Sequence, residues 1–143
     1  MPSYTSDELI IPDVYAQGNG LSDFEWLQKD LFFSDEYLAR VIGAHKDRFS
    51  QWKSGRQSLT GSQLRKLKNL SSAMTRLLSF FAFRRDLMMR ILEFHVDTTE
   101  MRRTRVTPPW VGMSLRNYML RYRSMGVDEV DSWVQRLRSA NSP

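Results

Sequence analysis

Apolar residues recur along this chain at spacings of three and four, and no stretch alternates as a strand would, so the pattern predicts helices throughout. Phe24, Leu27 and Leu31 mark a first helix that starts after Ser22, with Asp23 and Glu25 in the turn where the helix dipole favours negative charge. Ser34 caps the next helix, again followed by acids, Asp35 and Glu36. After Gly55 comes a loop in which Thr60 or Ser62 caps another helix. From there Leu64, Leu67, Leu70, Met74, Leu77, Leu78 and Phe81 keep a helical period, which Leu87, Met88, Ile91 and Leu92 continue. Residues 62–95 contain no Pro or Gly, and fit either one long helix or two, broken near Ser71-Ser72 or Phe83-Arg84. Ser114 caps a further helix with Leu115, Tyr118, Met119 and Tyr122 on one face, stopped by Gly126. Asp128 opens a last one, carrying Val130, Trp133, Val134 and Leu137 at i, i+3, i+4, i+7.

The predicted fold class is all-α. Residues 1–20 read as a flexible N-terminal arm, because Pro2, Pro12, Gly18 and Gly20 break any helix. Residues 21–70 form one helical domain and 71–95 a connecting or dimerisation helix. Residues 96–112 are an irregular connector ending in Thr107-Pro108-Pro109-Trp110, and 113–143 a C-terminal helical hairpin. The band from Leu77 to Phe83, with Phe80 and Phe81, is too apolar for a lone helix in water, so it is core or a contact between copies.

The segment from Ser34 to Arg56 has the spacing of a helix-turn-helix. Two helices that cross closely need a small residue at the contact, here Ala39, and a turn residue that tolerates positive φ, here Gly43. Phe49 and Trp52, three apart, share one face of the second helix and point into the core. Lys46, Asp47, Ser50 and Gln51 are left on the other side, free to enter a DNA groove. Their chemistry suits base edges: Lys46 donates to guanine O6/N7, Gln51 pairs with adenine, Asp47 accepts from cytosine N4, and Ser50 bonds a base or a phosphate.

Leu38-Ala39, Gly43, Phe49, Trp52 and Gly55-Arg56 together resemble the Xre/Cro, or lambda-repressor-like, family. The match runs over about two dozen residues without a gap. The resemblance implies that His45 opens the recognition helix and that His45, Lys46, Asp47, Ser50 and Gln51 read bases. Arg48, Lys53, Ser54, Arg56 and Ser58 would contact phosphates, which set register without reading sequence. One departure stands out: the position four before the Ala is often Gln in that family and contacts a phosphate, whereas here it is Asp35.

A looser similarity extends over most of residues 30–138. The acidic helix start, Ser58-Leu59-Thr60 followed by Gln63 and Leu67, Gly112-x-Ser114-Leu115 and Gly126-Val127 are similar to Xre/MbcA/ParS-type antitoxins. That likeness implies an autorepressor whose C-terminal region also holds a toxin. On either reading the expected partners are double-stranded DNA and a second copy, since one recognition helix spans too few base pairs. Phe80, Phe81, Trp110, Tyr118, Tyr122 and Trp133 are the candidate partner or dimer contacts, each equally able to be the monomer's own core. Two alternatives to a repressor stay open: the antitoxin, and a helix-turn-helix adaptor that binds only protein.

Composition narrows the field. With 41% hydrophobic residues in 143, the chain can fill a core. The absence of cysteine excludes disulfides and thiolate chemistry, and a reducing cytoplasm is the expected setting, with no membrane span. The net charge of +5 is uneven. Residues 1–33 carry one base and six acids, 34–70 eight bases and three acids, and 71–143 twelve bases and seven acids. The basic block centred on the helix-turn-helix is what a phosphate-facing surface requires. Only two histidines, His45 and His95, occur, with no phosphate loop, nucleophile elbow or metal-ligand spacing, so neither an enzyme nor a cofactor or metal is expected.

Overall fold

The computed structural model describes residues 21–93, 108–110 and 112–140. Among these stand six helices and no strand: α1 (Leu21–Leu31), α2 (Asp35–Ile42), α3 (Lys46–Lys53), α4 (Gly61–Phe80), α5 (Arg85–Glu93) and α6 (Leu115–Ala140). The fold class is all-α, as expected. The expected arm of residues 1–20 and the stretch 94–107, with its Arg102, Arg103 and Arg105, lie outside the described residues. None of the described helices is long and apolar enough to cross a membrane.

Several helix boundaries have a local chemical cause. Ser34 Oγ accepts from the Tyr37 backbone N–H at the start of α2. Thr60 and Gln63 exchange two hydrogen bonds, a capping box that starts α4. At the end of α2, Ala44 N–H bonds to Ala39 O and Gly43 N–H to Arg40 O. This paired closure places Gly43 at φ 77°. The same pairing ends α3, through Arg56 to Gln51 and Gly55 to Trp52. It recurs after α4, through Phe83 to Leu78 and Ala82 to Ser79. There no glycine is present, and Ala82 and Phe83 themselves take positive φ. Within the described residues 62–93 there are therefore two helices, divided at the second of the two expected breaks.

One hydrophobic core runs through all six helices. Phe24 of α1 lies against both Phe49 and Trp52 of α3, with ring centroids 5.7 and 5.1 Å away. Trp26 donates from its indole to Ser71 Oγ, tying α1 to the middle of α4. Helix α4, 20 residues and about 30 Å long, packs most extensively against α6. Arg76 of α4 clasps both carboxylate oxygens of Asp131, at 2.6 and 2.5 Å.

Helix α6 is broken in two at Arg123, whose backbone leaves the helical region at φ 56°. Tyr118 hydroxyl donates to Glu129 Oε2 at 2.6 Å across that break. A straight helix would separate the two residues by about 16 Å, so the chain reverses between them. The expected hairpin thus has its turn three residues before Gly126, which instead lies buried inside the second arm. A Cβ on Gly126 would sit 3.0 Å from Tyr122 Cβ and 3.3 Å from Tyr118 Cε2, so the close approach of the two arms is what requires glycine.

Candidate nucleic-acid interface

Helix α3 exposes one face and buries the other. Phe49 is fully buried and Trp52 nearly so, while Lys46, Asp47, Arg48 and Gln51 are exposed. His45 caps the helix: its Nδ1 accepts from the Asp47 backbone N–H at 3.1 Å, so the ring proton of the neutral imidazole resides on Nε2. The His45 and Asp47 side chains are 76% and 79% exposed and their polar atoms lie 3.7 Å apart. His45, Lys46, Asp47 and Gln51 are thus all exposed, the first three at the N-terminus of α3 and Gln51 in its second turn.

Ser50 departs from that group. It is half-buried, and its hydroxyl donates to Asp35 Oδ2 at 3.0 Å. Lys53 Nζ donates to Asp35 Oδ1 at 2.8 Å, and Gln28 Nε2 reaches the same oxygen at 2.8 Å. One carboxylate at the start of α2 thus receives groups from α1 and from two successive turns of α3. Partial burial pushes the Asp35 carboxyl up, but the hydrogen bonds from Lys53, Gln28 and Ser50 outweigh it and hold it below the usual range.

The residues assigned to phosphate contact also fall into distinct states. Arg48 Nη1 donates to the Ser58 carbonyl at 3.1 Å, bracing the loop after α3. Ser54 Oγ donates to Gln51 O at 3.0 Å and closes the helix end. Arg56 and Ser58 are exposed. Arg65 and Lys68, which the sequence reading did not single out, add exposed cations on the first turns of α4. Gln63 Nε2 of the capping box also donates to Gly43 O at 3.2 Å, which fixes the start of α4 to the turn between α2 and α3.

The six apolar candidates divide by burial. Trp110 and Trp133 are fully buried in edge-to-face contact, centroids 4.8 Å apart, and Tyr118 lies beside them. These three belong to the chain's own core, and Trp110 has no surface with which to anchor a partner. Its indole N–H is the one buried side-chain donor without an acceptor among the described residues. Phe80 and Phe81 are half-buried against each other, while Tyr122 remains exposed, as are Phe32, Phe83 and Met125. Tyr122 and Met125 border a cleft of about 360 Å³ with Pro109, Tyr118, Gly126 and Glu129.

No group of three His, Asp or Glu residues able to hold a metal occurs among the described residues. No family model, curated protein or solved structure matches this chain.

Proposed function

We propose that the chain is a sequence-specific double-stranded DNA-binding regulator of the Xre/Cro type, acting as a dimeric repressor. The observation that carries this reading is the division of α3. Phe49 and Trp52 lock the helix into the core, and the exposed group at its other face is His45, Lys46, Asp47 and Gln51. These four side chains offer both donors and acceptors, the mixture needed to distinguish base pairs in the major groove. The turn at Gly43 and the basic block from residue 34 to 70 support the same reading. A second copy supplies the second half-site, and the exposed rings of Phe83 and Tyr122 are apolar surface suited to it.

The test is selection of bound duplexes from a random DNA library at two salt concentrations. An enriched inverted repeat with half-sites about one helical turn apart is the expected result. Recovery without a motif, fading as salt rises, would mean phosphate attraction alone and would remove the claim of sequence reading.

A further inference from the structure

We propose that Asp35 is a positioning residue of the DNA face: it fixes α3 through Ser50 and holds the charge of Lys53 away from the phosphate backbone. The inference rests on the DNA-binding reading above. Its basis is the convergence on one carboxylate of Gln28 from α1 and of Ser50 and Lys53 from α3, at 2.8, 3.0 and 2.8 Å. Ser50 and Lys53 are three apart, so they present one side of α3 to the start of α2. Two bonds spaced along a helix resist both its rotation and its sliding, which sets the direction in which Lys46 and Gln51 point. Lys53 ends a helix in the most basic part of the chain, yet its side chain is only 35% exposed, because it lies down onto Asp35. The pair is electrically neutral. A cation so paired releases no counterion from DNA, because its charge is already compensated before the complex forms.

The salt dependence of binding reads this directly, since each phosphate neutralised adds about 0.9 to the slope of log K against log salt. The full chain is titrated against a random-sequence duplex over a range of KCl concentrations. Four forms are compared: wild type, Asp35→Asn, Lys53→Gln and the double variant. Asparagine keeps the size of the side chain and an oxygen for Ser50, but loses the charge that holds Lys53. Asp35→Asn is expected to steepen the slope by about 0.9 and to raise affinity several-fold at low salt. Lys53→Gln alone is expected to leave the wild-type slope unchanged, and the double variant to return to it.

An unchanged slope in Asp35→Asn would overturn the proposal, as would a loss of about 0.9 in Lys53→Gln alone. A gain that persists in the double variant would assign the effect to the bare charge of Asp35 and overturn the role of Lys53. A purely structural role for Asp35 would lower stability without changing the slope. Should Asp35→Asn fail to fold, by helicity and melting, Lys53→Gln decides alone. A wild type that binds no duplex removes the DNA reading together with this inference, whereas wild-type binding with an unaltered Asp35→Asn slope removes this inference only.

Discussion

The Tyr37 hydroxyl donates to the backbone carbonyl of Arg116, 79 positions further along the chain. The guanidinium of the same arginine lies over the stacked rings of Phe33 and Tyr37, donates to Leu31 O at 2.8 Å and pairs with Glu93 at 2.6 Å. Four helices, α1, α2, α5 and α6, therefore meet at one arginine. The helix pair that presents the exposed group is braced by the C-terminal half of the chain.

Tyr37→Phe removes one hydrogen bond from this junction and is expected to cost about 1 kcal/mol in urea unfolding at pH 7. Burial pushes the Tyr37 hydroxyl well above its ordinary value. The neutral phenol thus adds stability that is complete below pH of about 10 and is lost as pH rises further, while the unfolded tyrosine ionises. The difference between wild type and Tyr37→Phe should stay constant up to pH of about 9.5 and narrow as pH rises above about 10. A constant difference would show that Tyr37 is not buried as described.

Asp35 gives the opposite sign. Its carboxyl is held low in the folded chain, so its contribution is complete above the unfolded value of about 4 and is lost as pH falls through the folded one. Urea midpoints measured from pH 5 to pH 2.5 should fall less steeply in Asp35→Asn than in wild type.

Gly43 and Gly126 are both expected to resist alanine, for different reasons. At Gly43 no atom obstructs a Cβ, but φ is +77°, which costs an alanine about 1–2 kcal/mol. At Gly126 the obstacle is Tyr122 Cβ at 3.0 Å, and overpacking there is expected to cost about 1–3 kcal/mol. Asparagine separates the two causes. Gly43→Asn should recover part of the loss, because Asn tolerates positive φ, whereas Gly126→Asn should be worse than Gly126→Ala. Thermal melting of the four variants provides the comparison.

Lys46→Ala combined with Gln51→Ala should abolish preference for the selected sequence while leaving weak, salt-sensitive binding. Each lost base contact is expected to cost about 1–3 kcal/mol of discrimination. Competition between the selected and a scrambled duplex measures it. Retained discrimination would place sequence reading elsewhere than on α3.

Features that depend on neighbours in sequence were legible before the structure. Ser34 as a cap, Thr60 as one of two candidate caps, Gly43 as the turn and Phe49 with Trp52 as the buried face all follow from chemistry acting within a few residues. The three-way junction at Asp35 did not, because no local spacing connects position 35 to positions 28, 50 and 53. The only hint was the carboxylate standing where a phosphate-contacting amide is usual in the family the segment resembles. The hairpin turn was misplaced at Gly126 for a related reason. Glycine there answers to Tyr118 and Tyr122 packed across it, while the reversal falls on Arg123, a residue with no turn preference. Trp110, between Pro109 and Gly112, had two readings until its contact with Trp133 showed it to be core.

All four tryptophans are buried, and they divide into two sites: Trp26 and Trp52 near α1 and α3, and Trp110 with Trp133 under α6. Trp110 in particular is fully buried, and its indole N–H has no acceptor among the described residues. Intrinsic fluorescence of the native chain should therefore be blue-shifted, and should report the melting of both halves at once. Replacing the tryptophans of one site with phenylalanine would isolate the other optically. The molecule carries its own gauge of whether its two halves come apart together.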